Sequence, residues 1–429
     1  MSASSIPTSV QVPWYKEPTK DQWYAYSAAW LGWTLDAFDF TVFLFIIGPI
    51  ADEFKVPVTE VTIVFTLTLW MRLIGATTAG WLGDRIGRRW PLMISILWYS
   101  FCNLLAGFSP TFMFLLVFRT LLGIGMGAEW PAGAALAMES WPTRSRGFMS
   151  GILQGSWGLG YALAAVANWA LFAEFGWRGL LWIGILPALA VVWVRFFVKE
   201  PEVWAENKRQ QTAQKKEVTL PLFTIFKRKY IFNTLTGVFW MASAFCVYYS
   251  IWALFPTYLS RELHWTPAQV FVPVFAANLI VFGGSALWGF VADKFGRRPA
   301  IYVPAIIGIF VTPLYLYTTD PIWVVGGFVL QGLFLGSIYG QNPSYLCERF
   351  PTEVRATASG FVYHQGAIWG GLIAPILSYF ANEMHMGYAL PMMVSTMGFS
   401  VLVVIFVLLG PETRGKEMTS ELEVFQPAE

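Results

Sequence analysis

Charged side chains occur inside several long apolar runs of this sequence, where a charge is costly and usually functional. Asp36 and Asp39 lie three residues apart in one run, and Arg72, Arg119 and Glu129 lie in two others. Residues three apart on a helix share a face, and two carboxylates that are close in a low-dielectric medium cannot both ionise cheaply. A carboxyl group that alternates between an arginine partner and a proton is suited to proton coupling. The arginine released can then bind another carboxylate through two hydrogen bonds.

This chemistry predicts proton-coupling roles for Asp36, Asp39 and Glu129, and carboxylate-binding roles for Arg72 and Arg119. The spacing leaves open which aspartate takes the proton, and whether Glu129 is a second proton site or part of a gate. The alternative for each residue is a fixed structural ion pair, which perturbs charged groups in the same way.

The second half of the sequence offers polar and aromatic groups instead, because its apolar runs hold no Asp, Glu, Lys or Arg in their interiors. We select Tyr249, Gln341 and His364 as substrate-binding candidates, since amide, hydroxyl and imidazole groups can orient a ligand between aromatic faces. The alternative for any one of them is packing or lipid contact. Weaker candidates of the same kind are Tyr248, Trp252, Asn278, Asn342, Tyr363, Gln365 and Trp369.

The elements that position these groups are apolar runs of bilayer-spanning length. The chain has 429 residues, of which 56% are hydrophobic and 13% charged, about half the charge of a soluble protein. We predict an all-α polytopic membrane protein with twelve transmembrane helices. The predicted spans are 24–50, 60–81, 91–108, 111–137, 149–172, 177–198, 231–259, 267–291, 300–318, 322–346, 358–381 and 387–410.

Two motifs repeat at one offset of 209 residues. Residues 80–89 contain an acid and three arginines and match residues 289–298, and residues 139–146 match residues 348–355. Two unrelated motifs with one offset indicate an internal duplication, hence two pseudo-symmetric six-helix bundles. The predicted divisions are a segment 1–23, a bundle 24–198, a polar loop 199–230, a bundle 231–410 and a tail 411–429.

The short polar segments determine the predicted orientation. Placing the amino terminus inside puts 22 of the 28 Lys and Arg residues on the cytoplasmic side and only Lys55, Arg178 and Arg261 outside, as the positive-inside rule requires. Both termini are therefore predicted to be cytoplasmic, in the inner (plasma) membrane. No cleavable signal peptide is predicted, because the first 20 or so residues are polar and contain three prolines.

Acids and arginines of the repeated motifs are expected to meet on the cytoplasmic face. They form a predicted charge network whose members are Asp84, Arg88, Arg89, Glu139 and Arg146. Because the basic residues lie in loops, their charge gives no reason to expect nucleic acid. The three cysteines lie in apolar runs and indicate neither a disulfide framework nor a metal site, and we expect no cofactor.

By these motifs the chain resembles the major facilitator superfamily over its whole length. Residues 80–89 are similar to the signature between its second and third helices, and residues 119–127 to its fourth-helix signature. Residues 411–415 resemble the ending of some members after the last helix. The resemblance implies that the charge network closes the cytoplasmic side and breaks as the two bundles rock.

A narrower resemblance is to the sialate:proton symporter group, whose members carry sialic acid, lactate and pyruvate, or muconate. It rests on the Asp-x-x-Asp pattern in residues 35–40 and on residues 125–130 and 252–259. The seventh-helix signature of fungal lactate carriers is absent from 231–259, and the polar loop 199–230 leaves no room for the extra helices of sialate carriers. A lactate-type or muconate-type acid is therefore favoured over sialate.

Together these features predict a proton-coupled symporter that imports a small organic carboxylate by alternating access, a monomer whose partners are protons, the acid and the lipid membrane. Rival interpretations are an aromatic-acid symporter, a proton-independent exchanger or facilitator, and, more remotely, a membrane sensor. An enzyme is disfavoured, because only three histidines exist and two fall in predicted outer loops. ATP coupling is disfavoured too, because no phosphate-binding Gly-x4-Gly-Lys-Ser/Thr loop occurs.

Overall fold

The computed structural model describes residues 12–426, which form helices and connecting loops without a β-strand. Residues 1–11 of the predicted amino-terminal segment and residues 427–429 of the predicted tail lie outside the described residues. The helices of the first half are α1 Lys20–Phe54, α2 Val58–Ile86, α3 Arg89–Gly107, α4 Phe112–Ser140, α5 Arg146–Trp182 and α6 Ala188–Phe197.

A connecting region and the second half follow. Two helices lie in the predicted polar loop 199–230, namely α7 Glu202–Ala213 and α8 Pro221–Thr224. The remaining helices are α9 Ile231–Tyr248, α10 Phe255–Arg261, α11 Pro267–Phe295, α12 Pro299–Leu316, α13 Pro321–Leu333, α14 Asn342–Glu348, α15 Arg355–Asn382 and α16 Ala389–Leu409.

Ten helical segments of the described chain are long and apolar enough to cross a membrane. One of them, Thr143–Phe197, covers two predicted spans and is interrupted at Gly176, whose φ of 62° and ψ of −166° are not helical. α15 is not among the ten. Dividing the long segment and adding α15 would give twelve spans, and the count of twelve stays a prediction.

Two spans of the second half are broken near mid-length. Between α9 and α10 the chain makes a π-helical turn, Tyr249–Ala253, and between α13 and α14 a 3-10 segment, Gly336–Gln341. Pro256 and Pro343 follow these breaks in the first turn of α10 and of α14. Proline lacks the N–H that a continuous α-helix needs, so the helical hydrogen-bond pattern changes just before it. The breaks place Tyr249 and Gln341 in irregular helix.

Close contact between the halves runs along α5 and α11. A Cβ added at Gly151 of α5 would lie 2.1 Å from the Ser285 carbonyl oxygen of α11, and one at Gly147 would lie 2.9 Å from that of Gly289. Backbones can approach this closely only where side chains are missing. The small residues in α5 therefore allow this arrangement of the halves, in which the ends that carry the repeated motifs are closed.

We predict that Gly151→Ala prevents this closure, because the Ser285 carbonyl is backbone and cannot move aside cheaply. A clash of that size costs about 1–3 kcal/mol, so transport should fall by about tenfold or more. The measurement is the rate of substrate exchange in proteoliposomes. The matched control is Gly283→Ala, since no neighbouring atom lies within 4 Å of a Cβ added there. Equal rates in the two variants would contradict the prediction.

Candidate functional site

A cavity lies between the two halves at the level of the broken helices. Its lining from the first half includes Trp33, Arg72, Gln154 and Trp157, and its lining from the second half includes Tyr248, Tyr249, Ser285, Tyr339, Tyr363 and His364. Arg72 is the only Asp, Glu, Lys or Arg among the residues that line the cavity. The cavity therefore presents one permanent positive charge among aromatic rings and hydroxyl groups.

Arg72 forms a buried ion pair with Asp36, through its Nη2 and the Oδ2 of the aspartate. Asp36 is 0% exposed and Arg72 5%. The guanidinium carbon also lies 5.3 Å from the ring centre of Phe40 and 5.6 Å from that of Trp157, distances at which a cation is attracted to an aromatic face. Arg72 Nε and Asp36 Oδ1 have no hydrogen-bond partner among the described residues, so both groups retain capacity to bind another molecule.

Asp39 and Arg119 are joined through Asn103 of α3. Asn103 Nδ2 donates to Asp39 Oδ1 at 3.1 Å, and Arg119 Nη1 donates to Asn103 Oδ1 at 2.9 Å. Arg119 stacks over Phe43, 4.3 Å from the ring centre, and is not among the residues that line the cavity. Its predicted role in substrate binding therefore has no support from its position. Asn103 was not predicted, because a single amide in an apolar helix carries no distinguishing signal.

Glu129 is buried in the first half without a partner. It is 1% exposed, and neither carboxylate oxygen has a hydrogen-bond partner among the described residues. It fits against α1 because Gly32 has no side chain, and a Cβ there would lie 2.6 Å from Glu129 Oε1. Both oxygens of this buried carboxylate are therefore available to bind a proton or another polar group.

The candidates of the second half separate into two groups. Tyr249 and His364 line the cavity. His364 Nδ1 lies 3.1 Å from the Gly360 carbonyl oxygen, and Nε2 has no hydrogen-bond partner within the part of the chain that the structure describes. Gln341 is fully buried but is not among the lining residues. Its predicted role in substrate binding is therefore unsupported in this arrangement.

Gln154 connects the halves beside the cavity and was not predicted. Its Oε1 accepts from Trp130 Nε1 at 3.0 Å, and its Nε2 donates to the Tyr363 hydroxyl at 3.1 Å. The rings of Trp130 and Tyr363 stack with centres 4.1 Å apart. Gln154 and Tyr363 are separated by the repeat offset of 209 residues. Comparing polar residues, and not only motifs, across this offset would have identified the pair of Gln154 and Tyr363 from the sequence.

The repeated motifs form two copies of one charge network. Arg88 donates to Glu139 at 2.7 and 2.9 Å and to Asp84 at 3.0 Å. The second copy has the same bonds, from Arg297 to Glu348 at 2.8 and 3.0 Å and to Asp293 at 2.7 Å. Burial of the Arg88 guanidinium opposes its charge, but the carboxylates of Glu139 and Asp84 outweigh that effect and raise its pKa above the usual range.

Each copy also binds the opposite half. Asp84 accepts hydrogen bonds from the backbone N–H groups of Ala356 and Thr357 at the start of α15, and Asp293 accepts from those of Gly147 and Phe148 at the start of α5. Carboxylates are stabilised at helix N-termini. Further bonds between the halves run from Arg355 to Glu139 at 2.7 Å and from Arg146 to Glu348 at 3.3 Å.

Arg89 departs from the predicted network. Its Nη2 donates to the Arg195 carbonyl oxygen, within the same half. Glu200, which was not predicted as a member, belongs to the network instead. Its carboxylate accepts hydrogen bonds from the backbone N–H groups of Arg88 and Arg89 at 2.7 and 3.1 Å. Burial raises the pKa of Glu200, although these hydrogen bonds offset part of the effect. Glu412 binds the N–H groups of Arg297 and Arg298 in the same way.

We predict that Asp84→Asn and Asp293→Asn both open this end of the molecule. Replacing a charge-assisted hydrogen bond with a neutral one weakens it by about 1.5 kcal/mol, or roughly tenfold in population. The reporter is alkylation of the buried Cys347 in α14, which packs against α4 and α5 of the other half. Cys102 and Cys246 are replaced with serine in all the proteins compared.

The control for this prediction is Asp21→Asn, which removes an exposed ion pair with Lys199. Exposed pairs contribute little to stability, so the alkylation rate of this variant should equal that of the parent. Equal rates in all three variants would show that the network does not hold the halves together.

The features described so far are typical of a multi-pass membrane transporter. They are two halves with a repeated motif, a cavity between the halves, and apolar helices long enough to cross a membrane. The family description "Major Facilitator Superfamily" matches residues 29–375 and 241–426. The chain belongs to this superfamily, as its motifs predicted.

Named relatives agree with the predicted subgroup. The chain is 31% identical over 423 residues to a probable 4-methylmuconolactone transporter of Cupriavidus pinatubonensis, covering 97% of each chain. It is 31% identical to a cis,cis-muconate transport protein of Acinetobacter baylyi, covering 82% of this chain and 85% of the relative. It is 28% identical to the sialic acid transporter NanX of Escherichia coli, covering 92% and 95%. These relatives are transport proteins, which confirms the prediction of a transporter and not an enzyme.

The fold has a solved counterpart in the proton:xylose symporter XylE bound to 6-bromo-6-deoxy-D-glucose. The TM-score is 0.75 at 17% sequence identity, covering 95% of this chain and 99% of that one. This likeness confirms the predicted fold class.

Proposed function

We propose that the protein is a proton-coupled symporter that imports a small organic carboxylate, of the muconate or lactate type, across the inner membrane. The carboxylate binds at Arg72 in the cavity between the halves, and Asp36 takes the proton. The observation that carries the proposal is the Arg72–Asp36 pair, because Arg72 is the only arginine, lysine or acid lining the cavity. The names of the relatives, two of them for muconate-type compounds, support a carboxylate.

The exchange of partners on Arg72 provides the coupling. While Asp36 is ionised it occupies the guanidinium and competes with a substrate carboxylate. Protonation of Asp36 weakens the pair, because the Coulomb attraction is lost, and leaves the planar fork of Arg72 available for two parallel hydrogen bonds. The proton and the carboxylate therefore bind together, as symport requires.

The aromatic lining favours a planar, conjugated acid. The rings of Trp33, Trp157, Tyr248 and Tyr249 line the cavity from both halves. Faces of this kind can enclose a flat carbon skeleton while Arg72 holds its carboxylate. The same lining suits an aromatic acid, which makes an aromatic-acid symporter the second candidate.

Alternating access follows from the duplicated charge network. We place the network and both termini on the cytoplasmic side, on the charge distribution of the loops. In the described arrangement the network joins the halves at that end, and its release would let the two halves rock about the cavity.

The test is uptake of labelled cis,cis-muconate, lactate and nicotinate into proteoliposomes, with and without an inward proton gradient. We expect accumulation of one acid above its external concentration only when the gradient is present. Equilibration without accumulation, unaffected by pH, would replace symport with facilitated exchange. Binding without entry would favour a sensor.

A further inference from the structure

A column of buried polar groups runs inside the amino-terminal half, beside the cavity but not lining it. Its members come from α1, α3 and α4, and each is at most 1% exposed. They are Asp36, Asp39, Tyr99, Asn103, Arg119 and Glu129, none of which is among the residues that line the cavity.

The order of groups in the column follows from contacts between α1, α3 and α4. Asn103 of α3 hydrogen-bonds Asp39 of α1. Ile96, seven residues before Asn103 on α3, lies beside Gly32 of α1, because a Cβ on Gly32 would be 3.7 Å from Ile96 Cδ1. The same Cβ would be 2.6 Å from Glu129 Oε1 of α4. Asp39 and Gly32 are about 10 Å apart along the helix axis. The column therefore leads from Asp39, past Asp36, to Glu129.

Tyr99 lies between the two ends of this column. It follows Ile96 by three residues and precedes Asn103 by four, so all three share one face of α3. Its backbone and Cβ pack against α4, where a Cβ on Gly125 would lie 2.9 Å from Tyr99 N and 3.0 Å from Tyr99 Cβ. Because Gly32 pairs with Ile96 and Asp39 with Asn103, the level of Tyr99 on α3 corresponds to that of Asp36 on α1.

The Tyr99 hydroxyl is fully buried and has no hydrogen-bond partner among the described residues. The carboxylates of Asp39, Glu129 and Asp36 all act electrostatically on it. A buried hydroxyl without a partner costs free energy, and a phenylalanine would avoid that cost with the same ring. The unpartnered hydroxyl therefore calls for an explanation other than packing.

We propose that the Tyr99 hydroxyl relays protons between Asp36 and Glu129, so that protons cross within the amino-terminal half while the carboxylate crosses between the halves. This inference rests on the proposed proton coupling. In the described arrangement the hydroxyl bonds neither acid, so the transfer requires the Tyr99 side chain to come within hydrogen-bond distance of both. Protonated Asp36 then gives its proton to the hydroxyl oxygen as the hydroxyl hydrogen passes to the ionised Glu129 carboxylate. Tyr99 ends neutral, Asp36 is ionised again and re-forms its pair with Arg72.

The surroundings of Tyr99 suit a relay between acids. The titratable and charged groups around Tyr99 come from four helices. They are Asp36 and Asp39 of α1, Arg72 of α2, Cys102 of α3, and Arg119 and Glu129 of α4. Arg72 is paired with Asp36 and Arg119 with Asn103, so Glu129 is the acid of the column without a hydrogen-bond partner. A proton that leaves Asp36 therefore has a favourable acceptor at the end of the column nearer the charge network.

Tyr99→Phe tests the relay, because it removes one oxygen atom and keeps the ring. The control is Tyr315→Phe, which removes the hydroxyl of a fully buried tyrosine in the other half. Both variants and wild type are placed in proteoliposomes with an internal pH indicator. Exchange of labelled acid and gradient-driven accumulation are measured separately, using muconate or lactate, whichever gives the larger wild-type uptake.

We expect Tyr99→Phe to exchange the acid at close to the wild-type rate, with accumulation and coupled proton entry reduced by about tenfold or more. Tyr315→Phe should retain both activities. Accumulation by Tyr99→Phe equal to wild type would overturn the relay and leave the symport intact. Equal loss of exchange and accumulation would overturn it too, since that indicates damage to the substrate path. A wild type that ignores the gradient with both acids would overturn the symport and the relay together.

Discussion

Replacing Arg72 with glutamine is expected to lower carboxylate uptake by about 100-fold, the equivalent of about 2.7 kcal/mol in transition-state binding. The guanidinium is the one permanent cation that lines the cavity, and glutamine can supply neither its charge nor its two parallel donors. Arg72→Lys should give an intermediate loss, because lysine keeps the charge but not the planar fork. Initial uptake rates at several substrate concentrations distinguish weaker binding from slower turnover.

Loss of folding is the main alternative explanation for such a defect. Removing one partner of a buried ion pair destabilises a protein by about 3–5 kcal/mol, because the other charge stays buried and unpaired. The double variant Asp36→Asn/Arg72→Gln avoids this cost, since it removes both charges. We expect it to be folded, by thermal unfolding and gel filtration, and to have no uptake. Arg85→Gln, which changes an exposed arginine, should transport normally. Uptake by the double variant would contradict a role of Arg72 in binding.

The second large effect is expected for Asp36→Asn, which should exchange substrate but not accumulate it. Asparagine cannot bind the transported proton, and as a neutral group it leaves Arg72 permanently available to the carboxylate. Arg72 borders the cavity and Asp36 does not, so leaving Arg72 without its partner should destabilise the protein less than leaving Asp36 without its own, and thermal unfolding checks this. Binding should therefore lose its dependence on pH, while the wild type should bind more weakly as rising pH ionises Asp36. Uptake driven by a proton gradient should stop at the external concentration.

The matched control for this experiment is Asp21→Asn, at an exposed ion pair with Lys199. It should accumulate the acid as the wild type does. Gradient-driven accumulation by Asp36→Asn would move the proton site to another group of the amino-terminal half, with Asp39 and Glu129 as the first to examine.

Much of the fold could be predicted from two strong features of the sequence, its long apolar runs and its internal repeat. The apolar runs have about the length that a bilayer requires, and one offset of 209 residues relates both copies of the charge network, including the backbone N–H groups that bind Asp84 and Asp293. The break at Gly176 falls between two predicted spans. The helices α7 and α8 were not predicted, since short polar helices in a loop have no strong periodic signal.

The charged residues of the site could be predicted, because charged residues are rare in apolar helices. Its uncharged polar residues could not, because such residues are common along the chain. Arg72, Asp36 and Glu129 stand out in apolar helices, and the structure buries all three. Gln154, Asn103 and Tyr99 are ordinary polar residues whose importance depends on what lies opposite them, which spacing along one chain does not reveal. Gln341 was selected for its amide, but it is not among the residues that line the cavity, although Gly336 and Tyr339 of the same 3-10 segment are.

The most direct test of the account is proton uptake on substrate binding by the purified protein in weakly buffered solution, followed with a pH indicator. We predict that adding the transported carboxylate to wild type near neutral pH draws protons from solution, and that Asp36→Asn binds the same acid without drawing any. Binding to wild type with no proton uptake would contradict the coupling of Arg72 to Asp36. Undiminished proton uptake by Asp36→Asn would contradict the assignment of the proton to that aspartate.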